Sequence, residues 1–198
     1  MRFFLKQFYA LKWTRIGWAT LLLLILNSDL AFSQQNQLNR ITLNWNSFRK
    51  VNSNNRPYIA YTAHQTRHKY RATQNGKHLS LQFEVGVTLD SSQTIIDLSK
   101  LKSLGNAEKK ALLNHEQGHS DLAVIYGRIL YQRLSRGNYS IGNFKKEVKV
   151  IYDAVMKELA HLNRTYDIET EHGQYTEQQQ KWDVYFKKEL LKNPGLSK

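Results

Sequence analysis

The sequence predicts an α+β fold, an N-terminal antiparallel sheet packed against C-terminal helices. Two changes along the chain predict it. Before Leu89 apolar and polar residues alternate, the period of half-buried strands; from Asn106 apolar residues recur every three to four positions, the period of amphipathic helices. The third observation is size. The chain has 198 residues, 41% of them hydrophobic, with two Pro and ten Gly, enough to bury one ordinary core. Strands followed by helices around one core make a single α+β domain.

The elements follow in order. Ile41, Leu43 and Trp45 alternate with Thr42, Asn44 and Asn46 and read as the first strand, continued by Phe48. Residues 51–57 are a polar loop, and Tyr58 to Thr62 is a second, shorter strand. His64 to Arg71 is basic and ambiguous, and Gln74-Asn75-Gly76 reads as a hairpin turn. Leu79, Leu81, Phe83, Val85, Val87 and Leu89 form the strongest strand, wet on its other face as in an antiparallel sheet. Thr94 to Leu98 is a short strand or the lead-in to the helices.

The first long helix runs from Asn106 to Gly137. The second opens on an Asn143 N-cap and carries the stripe Phe144, Val148, Ile151, Tyr152, Val155, Leu159 and Leu162. Asn163 to Tyr175 reads as a polar loop. A third helix starts at a Thr176 cap with Gln179 completing a capping box, and buries Trp182, Tyr185, Phe186 and Leu190.

Residues 1–33 read as a signal peptide. Arg2, Lys6, Lys12 and Arg15 precede any acid, an apolar run spans Ile16 to Leu26, and Ala31-Phe32-Ser33 sets small residues before a cut at Ser33/Gln34. The run is about 11 residues, short of the roughly 20 that span a membrane; an uncleaved anchor is the alternative. The expected protein is exported, periplasmic or secreted, with one domain over 34–198, and is not integral to the membrane once cut. Without the segment's four bases and Asp29, the net charge of +13 falls to +10. What remains suits anionic cell-envelope polymers.

The absence of Cys leaves His and carboxylates as the only strong metal ligands. His115-Glu116-Gln117-Gly118-His119 is an H-E-x-x-H motif in the first long helix. Positions i and i+4 share a face, which brings two imidazoles to one zinc ion, and Glu116 can take a proton from water. Gly118 costs about 1 kcal/mol against Ala in mid-helix and marks a place where another group comes close. A zinc site needs a third protein ligand. His172, before Gly173 in an acid-rich loop, is the first choice. Asp167, Glu169 and Glu171 of that loop, and Glu147, Asp153 and Glu158 of the second helix, are the alternatives. Asp121 points away from the motif's face and reads as a structural carboxylate. His64, His68, His78 and His161 read as surface residues.

The run Asn114-His115-Glu116-Gln117-Gly118-His119-Ser120-Asp121, with Tyr166-Asp167, Thr170, His172-Gly173, Gln180 and Trp182, resembles domain-of-unknown-function family 922. Leu43-Asn44-Trp45-Asn46-Ser47-Phe48 and Ala60-Tyr61-Thr62-Ala63 extend the likeness over most of residues 40–190. The family consists of exported bacterial proteins described as predicted zinc-dependent proteases. The resemblance implies a zincin-like arrangement with His115 and His119 as ligands, Glu116 as catalytic acid/base, and His172 favoured as third ligand. Ser120 stands where the family commonly has an aromatic, and Ser91-Ser92-Gln93 where a Ser-Trp pair is expected.

The function read from these residues is an exported zinc-dependent metallohydrolase, first of all a peptidase. Zn²⁺ sits on His115, His119 and His172, Glu116 activates water, and Tyr166 or another loop residue assists the oxyanion. Its partner is a protein or peptide substrate, cell-wall peptide included. The alternatives are a cell-wall peptide amidase and a non-catalytic envelope binding or adaptor domain whose metal is closed by four protein ligands. Nucleic acid is not an expected partner, because the basic residues are scattered and no nucleic-acid motif appears.

Overall fold

The computed structural model describes residues 38–52 and 57–192, so the proposed signal peptide lies outside the described residues. The architecture is α+β. Strands β1 (Arg49–Val51), β2 (Ala60–Tyr61) and β5 (Ile95–Asp97) form a small sheet in the order β1-β5-β2, and β3 (His64–Asn75) and β4 (His78–Leu89) form a separate two-stranded ribbon. A short helix α1 (Leu98–Ser103) leads into three long ones: α2 (Asn106–Arg136), α3 (Phe144–Thr170) and α4 (Thr176–Leu191).

The ribbon follows the alternation of β4. Phe83 and Val85 are buried against Leu130 and Leu134 of α2 and Val148 and Val155 of α3. β4 gives the ambiguous basic segment its structure. His64, Thr66, His68 and Tyr70 oppose Leu89, Val87, Val85 and Phe83, while Arg67, Lys69 and Arg71 are exposed. Gly76, at φ +59°, starts the two-residue turn between Asn75 and His78.

The three-stranded sheet is mixed, where the sequence predicted an antiparallel one. β2 is antiparallel to β5, but β1 runs parallel to it, with Arg49 opposite Ile95. A hairpin cannot join parallel strands; here β2 and the whole ribbon intervene between β1 and β5.

The predicted strand at Ile41–Trp45 is not one. Its first residues lie without strand pairing along α2, where the Gln117 amide takes the place of a neighbouring strand. The Gln117 carbonyl accepts from Leu43 N–H (2.8 Å), and its NH₂ donates to the Ile41 carbonyl (2.9 Å). Arg40 adds a two-pronged pair with buried Asp121, both contacts 2.8 Å, which gives Asp121 the structural role read from its position. Trp45–Ser47 then turn as a 3-10 helix capped by Asn44.

Two helix boundaries also differ. α3 runs eight residues past Leu162, through most of the predicted loop, because Asn163, Tyr166 and Thr170 keep the helical period and turn inward. α4 begins at Thr176 as predicted, but the residue before it, Tyr175, holds the cap position and makes no side-chain cap bond. Asn143 likewise caps α3 by position only. Leu122 and Ile125 of α2, Tyr166 of α3 and Phe186 of α4 form the core where these helices meet. Among the described residues no helix is long and apolar enough to cross a membrane.

Gln117→Ala would leave a buried N–H and a carbonyl of the 38–44 segment without their partner. A loss of about 2 kcal/mol is expected, measured by urea unfolding.

Candidate metal centre

The H-E-x-x-H motif sits where α2 is most deeply enclosed: His115, Glu116, Gln117, Gly118 and Ser120 are buried and His119 is half-buried. Gly118 is required by packing. A Cβ there would stand 2.3 Å from the Tyr166 hydroxyl oxygen and 2.8 Å from Phe186. Tyr166 therefore lies directly over the motif, stacked on His115 with ring centroids 4.6 Å apart. Its hydroxyl donates to the His115 carbonyl (3.0 Å) and accepts from the Gln179 NH₂ (2.8 Å). Burial drives that phenol's pKa far above its usual range. Tyr166 is thus a buried support for His115, with its hydroxyl occupied, and not the oxyanion donor that the sequence suggested.

The next residue, Asp167, lies over both imidazoles. Its Oδ1 lies 3.2 Å from His115 Nε2 and 2.9 Å from His119 Nε2, and the two nitrogens are 3.3 Å apart. The far sides of both rings are held. His119 Nδ1 donates to Asn163 Oδ1 (2.7 Å), and His115 Nδ1 faces Thr170 Oγ1 (3.3 Å) and Gln179 Oε1 (3.4 Å). Such acceptors fix the tautomer and leave both Nε2 atoms turned to the common centre. Burial opposes the charged forms here, but hydrogen bonds and mutual charge outweigh it. Asp167 is held far below the usual carboxyl range, and His119 is raised by Asp167 and by the Glu116 charge.

His172 joins the rim. The end of α3 is closed by two nested bonds, Glu171 N–H to the Ile168 carbonyl (3.3 Å) and His172 N–H to the Asp167 carbonyl (2.9 Å), the pattern of a Schellman motif. That motif commonly brings two apolar side chains together; here it faces the His172 ring toward Asp167, Nδ1 to Oδ1 3.7 Å. His172 is 71% exposed and, like Glu171, has a left-handed backbone. Gly173 follows at φ +85°, and a Cβ on it would come within 2.7 Å of His115 Cβ. His115, Asp167 and His172 offer atoms within 4.8 Å of one another.

Four of the other candidate carboxylates are engaged elsewhere. Glu147 accepts from Ser140, Asp153 pairs with Lys149, Glu158 with Arg133, and Glu169 accepts from the Trp182 indole. Glu171 caps α3.

Above the centre lies a cleft of about 760 Å³, walled by the Pro57–His64 segment on one side and by Leu112, Ala123, Leu159, Asn163 and Gln174 on the others. Glu116 opens into it, and its Oε2 accepts from the Thr62 hydroxyl at 2.6 Å. Thr62 is set by its neighbour: Ala63 N–H donates to Thr94 Oγ1, and the Ala63 carbonyl accepts from Asp90 N–H and Thr94.

His64 is the residue that sequence reasoning most misjudged. It lines the cleft with Nε2 3.0 Å from Ser120 Oγ. Ser120 donates its only proton to the Ile41 carbonyl, so His64 is the donor in that pair. Burial and the charge of nearby His119 lower its pKa to about 4. His68 is half-buried on the ribbon's inner face against Tyr152, whereas His78 and His161 are exposed as expected.

These residues define an α+β protein in which a central helix and its neighbour converge two imidazoles and a carboxylate beneath a cleft. Residues 34–173 match the family described as "Bacterial protein of unknown function (DUF922)", and the chain belongs to that family. The match includes His115, Glu116, His119, Asp167 and His172. Comparison with curated proteins and with solved structures returns no match.

The His64 shift predicts a pH dependence. Between about 6.5, the ordinary value, and about 4, the unfolded chain binds a proton that the folded one refuses, so stability falls as pH falls. Urea unfolding of metal-free protein at pH 6.5 and 4.5 should show a loss of about 2–3 kcal/mol from this group. In His64→Gln that part of the loss disappears.

Proposed function

We propose that the protein is an exported zinc-dependent hydrolase that cleaves peptide bonds. One observation carries this reading: His115 Nε2, His119 Nε2 and Asp167 Oδ1 form a triangle with sides of 3.3, 3.2 and 2.9 Å. Zinc bonds to imidazole nitrogen and carboxylate oxygen are about 2.0–2.2 Å, so donors on a tetrahedron around it stand about 3.3 Å apart. The three donors thus fit one face of a zinc tetrahedron, and the ring tautomers suit it. Bound there, zinc supplies a Lewis acid that lowers the pKa of a coordinated water toward about 7 and polarises a carbonyl.

The chain's own groups supply the remaining chemistry. Thr62 holds Glu116 by Oε2, which leaves Oε1 to accept a proton from water and return it to the leaving amine. The wall of the cleft suits an extended peptide. Asp97 N–H donates to the Ile59 carbonyl and Ala60 pairs with Ile96, so the strand alternation turns the N–H and C=O of buried Ala60 away from β5, on the edge strand of the sheet. An edge of that kind binds a substrate backbone as an added strand. The signal-peptide reading of residues 1–33 supports export. The protein should bind about one zinc per chain by elemental analysis. Glu116→Gln should keep the metal and lose peptide hydrolysis by about 10²-fold or more; full activity in metal-free protein would overturn the reading.

A second reading rests on His172. If it completes the ligand set with His115, His119 and Asp167, four protein ligands close the site and the metal is structural. Zinc titrations separate the two. On the peptidase reading Asp167→Ala weakens binding by about 10²-fold and His172→Ala by less than about tenfold. Equal losses favour the closed site.

A further inference from the structure

We infer that the cleft selects an extended, uncharged peptide stretch, with a large apolar or aromatic side chain seated on the Tyr58–Tyr61 pair. The inference rests on the reading of the cleft as a peptide-cleaving site and names what that site takes.

Charge is the first argument. The chain carries 29 Lys and Arg, yet among the described residues none lines the cleft. Its carboxylates are Glu116 and Asp167, and two carboxylates balance one divalent cation. The described lining of the loaded cleft is therefore close to neutral. Among the described residues an acidic peptide or an anionic polymer finds no Lys or Arg partner there, and its charges would lose hydration without compensation. The chain's net positive charge is displayed elsewhere, as on the exposed ladder of Arg67, Lys69 and Arg71.

Shape and surface are the second. Tyr58 and Tyr61 stack with ring centroids 5.3 Å apart and planes 27° from parallel, and Tyr61 is 43% exposed at the cleft. They flank buried Ala60, whose backbone N–H and C=O point away from β5. A peptide paired at Ala60 places alternate side chains on one face of the sheet, beside Tyr61. Leu112, Ala123 and Leu159 continue the apolar lining. Aromatic faces favour aromatic or apolar partners beyond simple area burial, and here they lie where the first bound side chain must go.

The test is equilibrium binding to the zinc-loaded protein carrying Glu116→Asp, which keeps the carboxylate charge while withdrawing the proton acceptor. Fluorescein-labelled, end-blocked decapeptides rich in Phe and Leu, in Glu, or in Lys, each spaced by Ser, are compared by anisotropy. The Phe/Leu peptide should bind at least about tenfold tighter than the Glu peptide. Tyr61→Ser should remove about tenfold of that affinity, Tyr58→Ser should act in the same direction, and Tyr61→Phe should stay within about twofold. The inference is overturned if the Glu peptide binds as tightly, if no peptide binds, or if both serine variants match their parent. If wild type binds the Phe/Leu peptide selectively and never cleaves it, the peptidase reading falls and the binding specificity stands. If it cleaves Glu-rich peptides best, the specificity falls and the peptidase reading stands.

Discussion

The carboxylate of Asp167, wedged between two imidazoles, is the contact on which the rest of the centre depends. It exists only because α3 comes close enough to α2, and that approach is permitted at Gly118. With no side chain there, Tyr166 lies flat on His115 and Phe186 closes over it. Asp167, one residue on, then reaches both Nε2 atoms. The same approach recurs at Gly173, whose missing Cβ lets the chain after α3 pass His115 and deliver His172 to the rim. Two glycines, one in a helix and one in a turn, thus set the spacing of four polar side chains.

Outside that centre, the N-terminal segment and the β2–β3 corner grip α2 from other sides, each through side chains of the motif or its neighbours. Gln117 and Ser120 bind the Ile41 region, Asp121 binds Arg40, Glu116 binds Thr62, and Ser120 accepts from His64. Every polar residue from Asn114 to Asp121 has a partner outside α2, with Asn114 on Asp183. Buried polar groups satisfied in this way hold one geometry, because moving any of them strands a partner. The cleft above the motif helix is walled on one side by β2, the edge strand of the small sheet.

Much of this was legible in local pattern. The alternation of Leu79 to Leu89 placed β4, the three-to-four spacing placed α2 and most of α3, and His115 with His119 had to share a face wherever that helix went. Elsewhere the pattern was present but ambiguous. Ile41, Leu43 and Trp45 do alternate, yet the partner that matches them is the Gln117 side chain. Asn163, Asp167 and Thr170 stand at i, i+4 and i+7, a helical spacing that continues the stripe of α3. Being polar, they resembled a loop, since nothing nearby shows that they face buried imidazoles. His64 had no local signal at all.

By itself, the sequence determined the helix that carries the two imidazoles and, through its lack of Cys, the chemical kind of any metal ligand. Both follow from composition and from a period of a few residues. Tertiary structure decided which carboxylate meets those imidazoles, which tautomers they hold, and that a strongly basic chain keeps Lys and Arg out of the described cleft wall. Those outcomes depend on pairs such as His119 with Asn163 and His115 with Asp167, which are 44 and 52 residues apart. Only the packing of α2 against α3, through a ring seated on a glycine, brings such residues within hydrogen-bond reach, and no local period encodes it.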